Sequence, residues 1–334
     1  MRRINLAGVQ LDIDSPTGAL PQYAGFLREF RKGLSPGLEI SITALLDWFR
    51  DGTAIADVIR QVDEFVPQFY DVGDYENYGG GSAIATKIDS TRWGPVFNRF
   101  GKRFRLGIST FGRSHLVPRE EQSRSRGARL VFLGDLTPLD IATNAAFQLQ
   151  TTRSPADELV LSYRATRKTQ IDYNSFEPGD TVQFILSTPE TIRAAMESAK
   201  RIGGHLAGVV FFRWPGLGET LTMQPDDVLI AAGLTTKPRR KPSSILAIDG
   251  GCATVKCMDL YLENAIPWTA QPVRYRIRAS TELEYFLPDE KMPVRMTGPS
   301  ELSVSLPPYG GRASMYVGRA VTANSAGYTV EVVQ

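Results

Sequence analysis

Two aspartates follow an apolar stretch in the segment GVQLDIDSP, residues 8–16. Side chains alternate between faces along a strand, so Asp12 and Asp14 are expected to share a face, with Cα atoms roughly 6.5–7 Å apart. Two such carboxyls do not both ionise cheaply, so we expect the pKa of one of them to rise. We interpret Asp14 as a general acid that protonates a leaving oxygen, and Asp12 as the partner that holds it in place.

Further polar and aromatic side chains follow the ends of other apolar runs. They are Asp47, Trp48, Gln68, Tyr70, Asp71, Ser109, Arg213 and Trp214. The carboxyl ends of parallel strands meet at one rim, so the set indicates a carbohydrate-type cleft in which tryptophans stack on sugar rings. An acid after a strand also commonly caps the next helix, and that alternative stays open for Asp14.

The spacing of the acids limits the mechanism. Two carboxylates on one strand cannot easily flank a glycosidic bond, as the common two-carboxylate mechanisms require. The nucleophile is then the substrate's own acetamido group, or a water positioned by Tyr70 and Asp71. We therefore predict four catalytic residues: Asp12, Asp14, Tyr70 and Asp71. The predicted substrate-binding residues are Asp47, Trp48, Gln68, Arg213 and Trp214, of which Trp48 and Trp214 are the stacking surfaces.

Alternating strand and helix patterns position these residues. Apolar runs predict strands at 4–14, 38–48, 64–72, 104–112 and 206–214, and helical spacing predicts helices at 17–34, 52–62, 91–100 and 189–202. Such βα units favour a parallel sheet, and without a Gly-x-Gly-x-x-Gly turn they favour a TIM-type (β/α) barrel over a dinucleotide fold. Residues 115–187 interrupt the alternation and are interpreted as an insertion.

The length of the first region fits only part of a barrel. Residues 1–235 without the insertion leave about 160 residues, whereas a TIM barrel takes about 250. We expect about five βα units with the N-terminal strands missing, and a homo-oligomer through the exposed barrel edge. Short alternating runs over 245–334 predict an all-β sandwich domain. This domain follows the barrel domain of residues 1–235.

Composition restricts the partners. The net charge of +2, from 38 basic and 36 acidic residues, predicts no nucleic-acid partner. No apolar run approaches the ~20 residues of a membrane helix, and no secretory signal is recognised. We expect a cytoplasmic protein, or a periplasmic or secreted one if the N-terminus is truncated. No zinc-type spacing exists, so no metal or other cofactor is expected. Cys252 and Cys257 are expected to be reduced thiols, with a disulfide as the alternative in an oxidising compartment.

The segment GVQLDIDSP resembles the signature strand of the chitinase-like glycoside hydrolases of family 18, which has the outline D-G-x-D-x-D-x-E. Asp12 matches the last Asp of that motif, Asp14 takes the place of the catalytic Glu, and Gln10 replaces an earlier Asp. The segment QFYD resembles the M-x-Y-D strand, which matches Tyr70 and Asp71. GVVFFRW resembles the final strand and puts a floor Trp at position 214. The resemblance implies that these residues protonate the leaving group, position an N-acetyl group and floor a sugar subsite.

A resemblance over most of the chain is to the bacterial domain-of-unknown-function family 3142. It is carried by the blocks GVQLDIDSPTGALPQYAGFLREFR, ISITALLDWF, DEFVPQFYD, AGVVFFRWPG and CMDLYLENA, and it implies further strands ahead of the first block. Two hypotheses follow. The first is a glycoside-hydrolase-like protein that cleaves a polysaccharide at the strand ends. The alternative is a non-catalytic carbohydrate-binding or structural protein.

Overall fold

The structure is a computed structural model. It describes residues 6–70, 88–121, 131–133, 136–153, 158–215, 219, 221–236, 241–266, 272–308, 310–311 and 314–333. These residues form a mixed α/β fold with several sheets.

The helices and strands follow one another along the chain. The α-helices are Leu20–Gly33 (α1), Ile55–Arg60 (α2), Ser90–Asn98 (α3), Pro138–Ala142 (α4), Pro189–Ile202 (α5) and Pro225–Ala231 (α6). The strands are Gly8–Leu11 (β1), Glu39–Leu45 (β2), Glu64–Phe69 (β3), Arg103–Ser109 (β4), Gly112–Val117 (β5), Val131–Phe132 (β6), Phe147–Arg153 (β7), Leu159–Ala165 (β8), Thr169–Ile171 (β9), Asn174–Phe176 (β10), Thr181–Leu186 (β11), Leu206–Phe212 (β12), Ser244–Asp249 (β13), Lys256–Glu263 (β14), Val273–Ala279 (β15), Tyr285–Pro288 (β16), Val294–Gly298 (β17), Glu301–Leu306 (β18), Ser314–Thr322 (β19) and Tyr328–Val333 (β20). The 3-10 helices are Thr17–Ala19, Leu46–Phe49 and Arg119–Glu121.

A five-stranded parallel sheet carries the predicted site. Its order is β1-β2-β3-β4-β12, and all four pairings are parallel. The five predicted strands therefore exist and pair in the order of the chain. The sheet stays open at β1 and β12, and the described residues form no closed barrel, so the barrel prediction is supported only at the level of a mixed α/β fold.

Aromatic packing holds this sheet to its helices. The Phe65 ring on β3 stacks on Phe104 of β4, with centroids 5.5 Å apart, and Phe97 of α3 meets Phe65 edge to face at 6.2 Å. All three rings are fully buried. Helix α1 adds Leu20 and Leu27, which are also fully buried. Burial of such large apolar side chains is the main driving force for the pairing of sheet and helices.

The chain between β4 and α5 forms a second sheet with the order β6-β5-β11-β8-β7, in which every pairing is antiparallel. This agrees with an interruption of the βα alternation, and the new sheet begins at Gly112, three residues before the predicted boundary. A Cβ at Gly112 would lie 2.8 Å from the Ile185 carbonyl oxygen. Only glycine therefore permits this close approach of β5 to β11.

Residues 244–333 form two four-stranded antiparallel sheets, ordered β13-β14-β19-β16 and β17-β18-β15-β20. One buried apolar cluster contains residues of both sheets, including Leu260 and Val317 from the first and Tyr275 and Val304 from the second. The alternation of buried and exposed residues along these strands is what a face-to-face packing of two sheets requires.

The two cysteines are joined in a disulfide, where the sequence favoured reduced thiols. Strands β13 and β14 are antiparallel neighbours, and the hairpin between them brings Cys252 and Cys257 to a Cα separation of 5.8 Å. Gly250 makes room for the bridge, since a Cβ there would lie 2.8 Å from the Cys257 sulfur. Hairpin pairing, which composition alone does not reveal, thus decides the cysteine chemistry.

None of the helices in the described ranges is both long enough and apolar enough to cross a membrane.

Candidate functional site

The two aspartates lie just beyond the edge strand of the parallel sheet. Strand β1 ends at Leu11 rather than at the predicted residue 14, and both Asp12 and Asp14 are exposed. The Ser15 N–H donates to the Ile13 carbonyl oxygen at 2.9 Å, so the chain turns at this point. The strand alternation that was expected to place both carboxyls on one face therefore does not extend to Asp14.

Asp14 is not the N-cap residue of either helix that follows it. The 3-10 helix Thr17–Ala19 begins after Pro16, α1 begins after Ala19, and neither start has a side-chain cap hydrogen bond. Asp14 instead lines a cavity of about 410 Å³. The other lining residues are Ile13, Ser15, Pro16, Ala19, Gln22, Tyr23 and Phe26. Asp14 therefore borders a space that a ligand group can enter, and a capping role for its side chain stays a prediction.

Side chains of the neighbouring strand end tie down residues 12–17, which we call the aspartate loop. The Thr43 hydroxyl on β2 donates to Asp12 Oδ1 at 2.5 Å. The Trp48 Nε1–H donates to the Ser15 carbonyl oxygen at 2.9 Å. The Thr17 hydroxyl donates to the Asp47 carboxylate. Asp47 and Trp48, predicted as substrate-binding residues, thus hold the loop in place.

Trp48 has no exposed surface, so the prediction that it stacks against a sugar is wrong. Strand β2 ends at Leu45, and the 3-10 helix Leu46–Phe49 carries the indole into the core. Its ring meets the Tyr23 ring edge to face, with centroids 5.9 Å apart. An apolar run does not show where a strand gives way to a buried turn, and this is why the sequence suggested a rim position.

Tyr23 lines the same cavity as Asp14, and the sequence analysis did not identify it as a site residue. Its hydroxyl is buried and has no hydrogen-bond partner among the described residues. Burial, and secondly the negative charge of Asp12, raise the pKa of Tyr23 to about 12. The phenol therefore stays protonated at neutral pH and can donate a hydrogen bond to a carboxylate. The helical spacing of α1 had indicated nothing more than a core position.

A second group of rings, Tyr70, Phe111 and Phe212, lies where β3, β4 and β12 end; we call it the aromatic cluster. The Tyr70 and Phe212 rings stack with centroids 4.5 Å apart, and Phe111 meets Phe212 edge to face at 5.8 Å. Gly107 on β4 makes this possible, because a Cβ there would lie 2.7 Å from Tyr70 Cε1. Tyr70 is buried in the structure, with 6% of its surface exposed.

Arg213 and Trp214 follow β12 beside the aromatic cluster. Arg213 Nε donates to Glu219 Oε1 at 2.9 Å, and the Thr222 hydroxyl donates to the same oxygen at 2.5 Å. The Arg213 guanidinium is therefore engaged in an ion pair, and Glu219 is a rim residue that sequence analysis missed. Trp214 is 71% exposed, so its ring faces are available for stacking. The peptide bond between Phe212 and Arg213 is cis.

The remaining predicted residues are Gln68 and Asp71. Gln68 is buried on β3, paired with Leu45 on one side and Gly107 on the other. Asp71 lies outside the described residues.

The strand order separates the aspartate loop from the aromatic cluster. The loop follows β1, at one edge of the sheet, and Trp214 follows β12, at the opposite edge. Four strand spacings of about 4.8 Å put these edges about 19 Å apart along the sheet. The structure therefore brings Asp12 together with Asp47, and Tyr70 together with Arg213, but it does not gather all the predicted residues around one point.

Comparison with known proteins gives a family match and distant structural neighbours. Residues 1–122 match the model of the family described as "Domain of unknown function (DUF3142)", which confirms the predicted resemblance over that range. The matched range includes Asp12, Asp14 and Tyr70 but not Arg213 or Trp214. No curated protein sequence matches the chain.

Similar solved structures include a chitinase from Chromobacterium violaceum ATCC 12472, at 14% identity and a TM-score of 0.42, covering 69% of this chain and 67% of that one. The spore cortex-lytic enzyme SleL from Bacillus cereus is 17% identical, with a TM-score of 0.40 and coverages of 68% and 48%. A glycoside hydrolase family 18 N-acetylglucosaminidase from Paenibacillus barengoltzii is 19% identical, with a TM-score of 0.40 and coverages of 63% and 66%. This chain thus spans between about half and two thirds of these proteins.

Proposed function

We propose that this chain binds a polysaccharide along the carboxyl edge of its parallel sheet and cleaves a glycosidic bond there, with Asp14 as the general acid. The observation that carries the proposal is the position of Asp14, which borders a cavity of about 410 Å³ beside the end of β1. The exposed Trp214 ring, which offers a stacking face, supports a carbohydrate as the ligand.

The proposed roles follow from the contacts. Asp14 protonates the leaving oxygen, and Asp12, whose position is fixed by Thr43, is its partner acid. The substrate's acetamido group, or a water positioned by Tyr70 and Asp71, attacks the anomeric carbon. Because the two ends of the sheet edge lie about 19 Å apart, the ligand is an oligosaccharide of several units that reaches from the aspartate loop to Trp214. Gln68, on the central strand β3, lies between them, and Arg213 lies next to Trp214.

The open sheet is the second part of the proposal. Five parallel strands, with edges at β1 and β12 that have no further neighbour among the described residues, would correspond to the part of a (β/α) barrel that the sequence predicted. Active sites of such barrels lie at the carboxyl ends of the strands, where the aspartate loop and Trp214 are found.

Replacement of Asp14 tests the catalytic assignment. Asp14→Asn should abolish the release of reducing ends from a polysaccharide substrate, while the circular dichroism spectrum and glycan binding are retained. Asp51→Asn is the matched control, since Asp51 is an exposed aspartate in the turn after the Leu46–Phe49 helix. Turnover by Asp14→Asn equal to that of the wild type would rule out Asp14 as the acid.

A non-catalytic carbohydrate-binding protein is the second candidate, favoured by the sheet that the described residues leave open. A glycan array with the wild type and Trp214→Ala separates the candidates. Binding that depends on Trp214, without release of reducing ends by the wild type, supports the second candidate. No binding and no release together would indicate a purely structural role.

A further inference from the structure

Strand β7 is an exposed edge strand. Its seven residues, Phe147–Arg153, pair with β8 in one unbroken antiparallel register, and β7 has no second neighbour among the described strands. All of its residues except Phe147 are exposed. Edge strands are usually short or carry a proline, a lysine or a bulge, because a regular free edge is a template for another strand. β7 has none of these features, and its one charged residue, Arg153, lies at its end.

The other edge strands among the described residues differ from β7. Strands β1, β6, β9 and β10 have only two to four residues. Strands β12 and β17 contain a shift of register, and β16 contains Pro288. Strands β13 and β20 lie beside each other. A free edge that is long, regular and exposed is therefore particular to β7 in the part of the chain that the structure describes.

The hydrogen bonds to β8 show which backbone groups of β7 face outwards. The Thr166 N–H donates to the Ala146 carbonyl oxygen at 2.7 Å, one residue pair before the paired strands begin. Hydrogen-bonded and non-hydrogen-bonded pairs alternate along antiparallel strands, so the even-numbered residues of β7 bond to β8. The N–H and C=O groups of Leu149 and Thr151 therefore point away from β8, towards the open side of the sheet.

An antiparallel second copy of β7 fits this edge. When a two-fold axis passes between the two copies of Gln150, Leu149 of each copy exchanges two backbone hydrogen bonds with Thr151 of the other. The two Arg153 side chains then lie about 20 Å apart along the strands, and each faces Phe147 of the other copy. Parallel pairing would instead put the two arginines side by side, where like charges repel. The charge of the strand thus favours the antiparallel arrangement.

The side chain of Leu149 supplies an apolar contact for the second copy. Leu149 pairs with Tyr163 of β8, so the two side chains lie on the same face of the sheet. Tyr163 is 2% exposed and belongs to the core, whereas Leu149 is 40% exposed. The core face of this sheet therefore reaches solvent at β7, where a second strand would cover it.

We propose that β7 is a dimerisation strand: two copies of this chain pair antiparallel through β7, about a two-fold axis at Gln150, and join their two five-stranded sheets into one. This contact does not use the sheet edges at β1 and β12, through which the sequence predicted an oligomer, and it does not depend on the proposed function. One pair of strands is a small interface, so the dimer is weak and its population rises with protein concentration.

Sedimentation velocity over a concentration series tests the strand pairing. Thr151→Pro removes an N–H that points away from β8, so it should abolish the dimer and leave the circular dichroism spectrum unchanged. Thr151→Val is the matched control, because it keeps the N–H and the β-branched side chain, and it should dimerise like the wild type. A wild type that is monomeric throughout the series, or a folded Thr151→Pro variant that still dimerises, would overturn the proposal.

Charges at position 150 test the two-fold axis without a change to the backbone. The two copies of exposed Gln150 form a non-hydrogen-bonded pair with Cα atoms about 4.5 Å apart. Gln150→Lys and Gln150→Glu should each weaken dimerisation by about tenfold or more, because like charges then lie opposite each other. An equimolar mixture of the two variants should regain the dimer. Undisturbed dimers of both single variants, or a mixture that stays monomeric, would contradict an axis at this residue.

Hydrogen exchange identifies the amides that the second copy covers. The N–H groups of Leu149 and Thr151 should exchange more slowly at concentrations where the dimer is populated, since they gain hydrogen bonds there. Thr151→Val should show the same slowing at both positions. Exchange at Leu149 and residue 151 that does not change with concentration would rule out β7 as the contact.

Discussion

Replacement of Gly107 by alanine should displace the Tyr70 ring from its stacked position on Phe212. The added Cβ would lie 2.7 Å from Tyr70 Cε1 and 3.2 Å from the Pro67 carbonyl oxygen. Carbon atoms in contact prefer separations of about 3.5–4.0 Å, so the ring has to move by about 1 Å. The Pro67 oxygen belongs to β3, which pairs with β4, and it cannot yield without disturbing that pairing.

The size of the effect follows from this crowding. Overpacking a well-filled interior by one carbon typically costs about 1–3 kcal/mol, and loss of an aromatic pair adds about 0.5–1.5 kcal/mol. Both apply here, because the two rings lie 4.5 Å apart in a buried cluster. We therefore expect Gly107→Ala to lower the free energy of unfolding by about 2–3 kcal/mol.

Urea denaturation followed by circular dichroism measures this change as a shift of the midpoint at constant m-value. Gly94→Ala is the matched control. Gly94 is also buried, but a Cβ there would lie no closer than 3.8 Å to its neighbours, and the residue is within α3. Alanine is the better helix former, so this variant should gain up to about 1 kcal/mol.

The decisive comparison uses Tyr70→Ala as the background. With the ring removed, the cost of Gly107→Ala should fall well below its value in the wild type, since only the Pro67 oxygen remains close. The explanation is refuted if Gly107→Ala lowers the free energy of unfolding equally in both backgrounds. It is also refuted if the Gly107→Ala variant is as stable as the wild type, because the missing Cβ would then not be what makes room for the Tyr70 ring.

Three further predictions concern other parts of the chain. Reduction of the Cys252–Cys257 bridge, or its replacement by two serines, should lower stability by about 2 kcal/mol, because the bridge closes a short loop; thermal melts with and without dithiothreitol measure it. Asp259 has a lowered pKa, because Arg319 donates to it at 2.8 Å, so its contribution to stability is present above the unfolded value of 3.8 and is lost as the pH falls below it. The difference in unfolding free energy between wild type and Asp259→Asn should therefore shrink from about pH 5 to about pH 3, and a difference that grows would contradict this. Thr188→Ala removes the capping box of α5 and should cost about 1 kcal/mol in urea denaturation.

The parallel sheet could be predicted because its strands are near-continuous apolar runs separated by amphipathic helices. The ends of the strands were harder to place. In ISITALLDWF the hydrophobic residues continue past Leu45 into a buried 3-10 turn, so hydrophobicity alone extended β2 and turned Trp48 outward. The same limit applied to β1, which ends at Leu11, one residue before Asp12, and the chain then turns between Ile13 and Ser15.

The contacts of the candidate site depend on side chains that are distant in sequence. Thr43 contacts Asp12 from a strand whose pattern indicates only burial, and no local motif marks this contact. The spacing within GVQLDIDSP identified Asp12 and Asp14 as candidate acids. Only the strand order shows that Trp214 lies at the sheet edge opposite to them. The disulfide likewise depended on hairpin geometry.

The short length of β1 has a consequence for local opening. Strands β2, β3 and β4 each have two hydrogen-bonded neighbours, whereas the four residues of β1 pair with β2 alone in the described part of the sheet. Amide hydrogens of β1 should therefore exchange with solvent far sooner than those of the three inner strands. The aspartate loop follows β1 and would open together with it if two hydrogen bonds did not hold the loop. These are the bonds from Thr43 to Asp12 and from Trp48 to the Ser15 carbonyl oxygen. Slow exchange at Ser15 thus reports on these two anchors rather than on the strand.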